Sequence, residues 1–460
     1  MTEAQPQTLS QQVSQFVATR VLGDIPNAVR ERAKLVILDA IGNAFAASRY
    51  PFVPVALSAL SSLGSGDGTV IGLDARLALR DAVVMNGILV HGLDYDDTYL
   101  PGSVHLSASC VPVVLGMGAH AGANGRDMLM AAVLGLEIGA RVAAAARGGF
   151  VNAGFHATGI AGAFGSAVAA GRLMKLNAEQ HMLAQGVALS LTSGTLQPLQ
   201  EGSWTKRVHP GWAGASGITA AAFARAGYVA PAQAYEGHFG LYSCFLGEHK
   251  ASAQPQAVVE GLGESWEFTR TSIKLFPACH QLHAFMNCAI KLAKEQKFNA
   301  ENVETVRALV ADAAVPLVCE PRASKLKPAS SYSAQFSLPY SVACALTRGR
   351  FGLNEIEAPS YTDGELLKLA NKVSYEIDPD SGFPKSRSGE VIVKMKDGRE
   401  LRHRDNILPD EPASAESIVA KFMQNTDGIL ALERAERVRD TVLGLERVAN
   451  AGEFVGMLGK

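Results

Sequence analysis

Between about Ser107 and Ala226 the chain consists of helix-period segments made largely of alanine and glycine, with few charges. Side chains that small let helix axes approach closely, and a helix that is apolar all round must be enclosed by others. Glycine weakens each such helix alone, so packing has to hold it. The stretch therefore predicts a dense bundle with several fully buried helices. The pattern extends upstream. In Thr8–Val21, Val13, Phe16, Val17 and Val21 recur at three- and four-residue steps. Pro26 then opens a longer segment through Ala47, with Val29, Ala33, Val36, Ile37, Ala40 and Ile41 on one stripe. Further helices are predicted near 77–92, 107–122, 127–147, 157–174, 178–193 and 212–226.

The texture changes after about Gly261. Val303–Asp312 and Lys372–Asp378 are short and β-branched enough to be strands. Glu390–His403 is a hairpin: Val391, Val393 and Met395 alternate, and Asp397-Gly398 supplies the positive φ angles of a tight turn. After Pro409 and Pro412 helical pattern resumes from Ser414. The expected fold is mainly α. A large all-helical domain is built from both chain ends, residues 1–264 with 405–460 returning to it as a C-terminal helix. A smaller α+β domain spans residues 265–404.

Composition narrows the partners. In 460 residues, 42 Lys plus Arg against 44 Asp plus Glu leave a net charge of −2. Such a chain has no global field for nucleic acid or anionic lipid, so a small-molecule partner is expected, with no nucleic acid and no membrane. The most membrane-like run, Met128–Ala146, carries Glu137 and Arg141 in its middle and reads as a buried helix. Met1–Gln12 lacks the layout of a secretory signal, and the six cysteines show no two-residue gap. Reduced thiols in a cytoplasmic enzyme are the expectation, with no iron–sulfur loop.

Four segments place polar groups at the ends of apolar helices. HGLDYDDTYLPGSVH holds His91, Asp94, Asp96, Asp97, Thr98 and His105; GFH ends in His156; WTKRVHPGW holds Lys206 and His209; IKLFPACHQLH holds Lys274, His280 and His283. A buried polar group costs free energy unless paired, so such placements mark a site or a structural hydrogen bond. Asp96 and Asp97 read as caps or loop carboxylates, and His120, His181, His238, His249 and His403 as ordinary histidines. His280 and His283 are three apart, but no carboxylate lies nearby in sequence, so no metal site is expected. There is no P-loop, no GxSxG elbow and no HExxH, and Gly64, Gly66 and Gly68 follow no convincing strand. Tyr332–Tyr340, YSAQFSLPY, is expected to pack the smaller domain.

At these residues the chain resembles the MmgE/PrpD family, whose members include 2-methylcitrate dehydratase, cis-aconitate decarboxylase and iminodisuccinate epimerase. The resemblance is carried in order by HGLDYDDTYLPGSVH, GFHATGIAGAFGSAVAAGRL, KRVHPGWAGASGITAAAFARAG, IKLFPACHQLH and AQFSLPYSVA. It implies a helical domain plus an α+β lid, a homodimer, and a site needing no metal or organic cofactor. Residue by residue, Asp94, Thr98 and His105 match the DxDDT…H motif, and His156 the GFH histidine. Lys206 and His209 match K-x-x-H, Lys274 matches the lid lysine, and either His280 or His283 matches the lid histidine. Two departures stand out. The interval from Asp94 to His105 is one residue longer than in the decarboxylase branch. Leu317, Val318 and Cys319 occupy the stretch where that branch has a tyrosine.

The family's reactions share one difficulty, a carbanion-like centre beside a carboxylate. Cations stabilise it, and a base and an acid with pKa values near neutrality move the protons. The expected roles are proton transfer by Asp94 and His105 as one pair with His156 opposite, and binding of a di- or tricarboxylate by Thr98, Lys206, His209, Lys274, His280 and His283. The expected reaction is loss of water from 2-methylcitrate or a related hydroxy polycarboxylate. Epimerisation of an iminodisuccinate-like dicarboxylate and cis-aconitate-type decarboxylation are the alternatives, and a polycarboxylate sensor is the non-enzymatic one.

Overall fold

The computed structural model describes residues 6–460 except 202, 384 and 409–411. The chain divides into two units, one running up to Ile273 and resuming at Ala413–Lys460, the other Lys274–Pro412. The junctions lie further along the chain than 264/265 and 404/405. The reason at the first is local: Thr98 and Ser272 exchange backbone hydrogen bonds of 2.8 and 2.9 Å, and Phe268 N donates to Glu137 at 3.1 Å. Residues 265–273 are thereby tied to the larger unit.

The larger unit is the expected bundle. Its main helices are Leu9–Thr19, Asn27–Ala47, Leu79–His91, Leu106–His120, Gly125–Ala145, Ala157–Leu173, Ala178–Leu191 and Val208–Arg225. The last begins at Val208 rather than near 212, which brings His209 into its first turn. Three features depart from the expectation. Residues 68–69 and 76–77 form a small antiparallel ribbon, so the unit is not wholly helical. Phe52–Ser61 is a helix, begun under Pro51 and Pro54. The C-terminal segment is three helices, Ala415–Thr426, Leu432–Leu443 and Ala451–Gly456, because left-handed Gly428 (φ 69°) and then Gly444 interrupt it.

Small residues set the spacing. A Cβ on Gly217 would stand 2.5 Å from the Ala167 nitrogen, and one on Gly211 would stand 2.8 Å from Val84 Cα. At Gly211 the helix Val208–Arg225 therefore lies backbone to backbone against Leu79–His91, which brings its N-terminal turn close to His91. Gly125–Ala145 is long and apolar enough to cross a membrane, but 94% of that window is buried within the protein. The charges in its middle, Glu137 and Arg141, pair at 2.5 Å, and Arg141 also donates to the carbonyls of Gly261 (3.2 Å) and Ser265 (2.9 Å).

The smaller unit holds a four-stranded sheet in the order Val373–Ile377, Val303–Val310, Arg387–Met395, Glu400–Ile407. The first pair is parallel, with Val306 opposite Val373, and the others are antiparallel. Gly398 (φ 90°) makes the hairpin turn. The strand Arg387–Met395 is buried on both faces from Ser388 to Val393 instead of alternating. Its buried Glu390 is met by Arg402 at 2.8 Å and Arg404 at 3.2 Å. In the YSAQFSLPY segment Ser337 caps the helix Leu338–Arg348, and the buried Tyr340 donates its hydroxyl to the Glu355 carbonyl.

Candidate active site

Leu79–His91 ends at His91, and the chain then loops to Leu106–His120. Asp97 fixes the far end of that loop. Its carboxylate accepts the N–H groups of Leu106 (3.2 Å) and Ser107 (3.1 Å) and the Ser107 hydroxyl, satisfying donors that a helix start leaves open. Burial, with the Asp96 charge beside it, pushes the Asp97 carboxyl up to about 7, against the Ser107 bonds. Midway, Asp94 sits in the left-handed region at φ 49°, a conformation that aspartate tolerates better than most residues.

Lys206 and two carboxylates close around His91. The Lys206 ammonium donates to Asp94 Oδ1 and to His91 Nε2, both at 2.9 Å. An ammonium only donates, so His91 Nε2 is the acceptor, and Nδ1 carries the proton given to Asp96 Oδ2 at 2.8 Å. Asp96 is thus a loop carboxylate and not a cap. It anchors the imidazole that touches Lys206. The same reasoning fixes His105: its Nδ1 lies 2.7 Å from the Asp97 carbonyl oxygen, which can only accept, so the lone pair is on Nε2. Thr98 Oγ1 lies 3.5 Å and Asp96 Oδ2 3.9 Å from that same Nδ1.

His156 caps the cluster from the start of Ala157–Leu173. Its Nδ1 lies 3.1 Å from His209 Nδ1, and its buried Nε2 has no hydrogen-bond partner among the described residues. Ring centroids are 4.8 Å apart for His91 and His105, 5.5 Å for His91 and His156, 5.8 Å for His105 and His156, and 5.3 Å for His156 and His209. Burial lowers the pKa of His91 despite Asp96. Burial and then the Lys206 charge hold His156 well below the usual histidine range, and burial with the neighbouring His91 brings His209 down to about 4. His91, His156 and His209 are therefore neutral at neutral pH.

A second layer holds the loop from behind. Lys421, buried in Ala415–Thr426, reaches Asp39 Oδ1 at 2.6 Å and the Tyr95 carbonyl at 2.7 Å, with its ammonium 3.7 Å over the Tyr95 ring. Asn43 donates to the same carbonyl at 3.2 Å and to Asp39 Oδ2 at 3.0 Å, and accepts from Asn425 at 3.0 Å. The backbone between Asp94 and Asp96 is thus gripped by Asn27–Ala47 and by the returning C-terminal segment.

Of the nine residues expected in the site, the larger unit brings six together: Asp94, Thr98, His105, His156, Lys206 and His209. Lys274, His280 and His283 belong to the smaller unit, all buried there. The His280 and His283 rings lie with centroids 4.6 Å apart, tilted by 41°, and His283 Nε2 lies 3.3 Å from the Ala278 carbonyl. Arg387, at the start of its strand, has a buried Nε without an acceptor among the described residues. Sequence reasoning missed His91 as a participant, along with Asp39, Asn43, Lys421 and Asn425. For His91 the signal was present, since it opens the quoted motif. For metal, His91, His105 and His156, or His91, Asp94 and Asp96, offer ligand atoms within 4.8 Å of one another. As arranged, however, both His91 nitrogens are engaged and an ammonium stands on one of them, which opposes a cation there.

Such a cluster, neutral imidazoles beside an ammonium and two carboxylates in a buried helical frame, is an acid–base centre suited to an anionic ligand. The chain belongs to the MmgE/PrpD family: the MmgE/PrpD N-terminal domain matches residues 11–254 and the C-terminal domain residues 276–447. It is similar to a cis-aconitate decarboxylase-like protein of Aspergillus oryzae, 24% identical over 95% of this chain and 94% of that one. It is also similar to cis-aconitate decarboxylases of Aspergillus terreus (25% identical; 98% and 96% covered) and Homo sapiens (25% identical; 95% and 92% covered). These relatives support a lyase-type role.

Proposed function

We propose that this protein is a hydro-lyase that removes water from 2-methylcitrate or a related hydroxy polycarboxylate by abstracting a proton next to a carboxylate. The observation that carries the reading is the pairing of opposite roles in one cluster. His105, its Nδ1 proton committed to the Asp97 carbonyl, presents Nε2 as a base, and His156 is a second neutral imidazole. Lys206 uses two donors on Asp94 and His91, and its third N–H remains for an anionic oxygen. An anionic substrate also offsets the cationic charge that depresses His156, which moves its pKa back toward the working pH. In the smaller unit, Lys274, His280, His283 and Arg387 are the groups suited to further carboxylates.

Decarboxylation of a cis-aconitate-like acid is the second reading, favoured by the names of the relatives. It needs an acid at the carbon that loses carbon dioxide but no base to start, whereas dehydration needs both. Proton NMR of the purified protein in deuterated water, with citrate-like, aconitate-like and iminodisuccinate-like acids, separates the readings. The expected result is an alkene product formed by water loss, with deuterium at the adjacent carbon when the reaction reverses. Carbon dioxide release from the aconitate-like acid alone would replace the first reading by the second. Inversion without any elimination would replace both by epimerisation. Binding without turnover would leave only a sensor.

A further inference from the structure

His156 and His209 meet ring to ring, and that contact ties their protons together. Their Nδ1 atoms are 3.1 Å apart, a hydrogen bond in which one ring must donate and the other accept. A neutral imidazole carries a single N–H, so fixing the shared proton fixes the state of all four nitrogens. Where His156 donates, its Nε2 holds a lone pair, and the one proton of His209 is on Nε2. Where His209 donates, His156 Nε2 carries a proton and His209 Nε2 is bare. A proton entering at one Nε2 while another leaves at the other therefore converts His156 from a base into an acid.

The two ends of the pair lie in different surroundings. His156 is 3% exposed, and its Nε2 is sealed, without a hydrogen-bond partner among the described residues, in the ring cluster with His91 and His105. His209 is half-buried, and with Nδ1 turned to His156 the opposite corner of its ring, Nε2, is turned away. Gly194 fixes both rings. Its carbonyl accepts the His156 N–H at 3.0 Å, and a Cβ on it would stand 3.1 Å from His209 Cγ. At φ 126° the position favours glycine. Burial, with the charges nearby, holds both imidazoles below the usual range, so a proton resting on either as a cation is unfavourable.

We infer that His156 and His209 form a proton relay between the enclosed cluster and solvent, with His209 as its outer member. The source of the proton rests on the reaction proposed above; the relay itself rests on the ring contact. When the C–H bond beside the carboxylate breaks, its proton bonds to His156 Nε2. The His156 Nδ1 proton passes to His209 Nδ1, and the His209 Nε2 proton leaves to water. The electron pair left on carbon forms the alkene as hydroxide departs, and the released proton neutralises the hydroxide. Atoms and charge balance, and no imidazolium accumulates. His209 thus acts through His156 and binds no substrate carboxylate, since its Nδ1 is committed and its Nε2 is turned away.

His209→Asn tests it, because an amide oxygen can accept the His156 Nδ1 proton as the imidazole does but passes none onward. The full chain is incubated with 2-methylcitrate in deuterated water, and NMR compares deuterium gained by unreacted acid with alkene formed. In the wild type the abstracted proton reaches solvent, so acid re-formed by reversal gains deuterium. In His209→Asn the proton stays on His156 and returns to carbon. The ratio of exchange to turnover should then fall roughly tenfold or more. A purely structural role would change the rate and not the ratio, so an unchanged ratio would overturn the relay, as would wild-type turnover without deuterium gain. If 2-methylcitrate is not turned over at all, the proposed reaction fails and the relay is judged separately. Nitrogen-15 spectra of histidine-labelled protein should show one protonated and one bare Nδ1 coupled through a shared proton, a pair lost in His209→Asn. Finding that pair would support the relay, and its absence from the wild type would overturn it.

Discussion

His181 shows how burial alone can make a residue sensitive to acid. It is fully enclosed, neither ring nitrogen has a hydrogen-bond partner among the described residues, and burial with the Arg172 charge brings its pKa down to about 3. The sequence reading of an ordinary core histidine is consistent with this placement. Between the unfolded value near 6.5 and about 3, the unfolded chain binds a proton that the native state refuses. The residue therefore costs stability progressively as pH falls, by about 1.4 kcal/mol per pH unit over that window. Asp97 works in the opposite sense. Its carboxyl is raised to about 7, so its contribution is present at low pH and lost as pH rises from about 4 through 7. Comparing one variant with the wild type removes that background. His181→Leu should gain on the wild type in urea melts as pH drops from 6.5 to 5; a gap that stays constant would contradict the assignment. Individual candidate residues drew notice because their segments set polar groups beside strongly apolar helices, where they are out of pattern. The bond of the loop carboxylate Asp96 to His91 was not legible, because His91 was treated only as the edge of a motif.

Elements carry what single residues could not announce. Lys421 and the Tyr95 carbonyl are 326 residues apart, and Lys421 sits in a helix whose spacing looks unremarkable. No local signal marks such a residue, since its role depends on which helix packs beside it. Burial pushes the Asp39 carboxyl up and the Lys421 ammonium opposes this, so removing the ammonium strands a buried acid. Lys421→Met should cost about 3–5 kcal/mol in chemical denaturation, and adding Asp39→Asn should return much of it. Equal losses in the single and double variants would argue against coupling. The crossing at Gly211 is the second element-scale device. Gly211→Ala should destabilise the chain by about 1–3 kcal/mol by forcing apart the helices that bring Lys206 to His91. Its kcat should fall more than that of Gly23→Ala, whose Cβ would meet nothing within 4 Å. Matching kinetics would detach the crossing from the site. Helix positions were readable from periodicity to within a few residues. The ribbon at 68–69 and 76–77 was not, because two-residue strands have no period.

At the scale of the whole molecule, the composition already required a buried helical bundle, and the β-branched runs after Gly261 required a second, mixed unit. The junctions were less legible, because the turn at residues 267–270 carries no hydrophobic period and is tied to the larger unit by bonds to residues distant in sequence, Phe268 N to Glu137 and the Tyr99 hydroxyl to Glu267. The C-terminal return was legible as helix but not as the support for the Asp94 loop. What these levels converge on is the buried cluster of His105, His156 and Lys206, in which we propose that the two histidines take protons while Lys206 meets negative charge. The most direct measurement is deuterium incorporation next to the carboxylate of the accepted polycarboxylate, followed by NMR for the wild type, His105→Gln and His156→Gln. Both variants should bind the acid yet exchange and turn over about 10²–10⁴-fold more slowly. Exchange at the wild-type rate in either variant would contradict the role given to that histidine, and in both would remove proton transfer from this cluster.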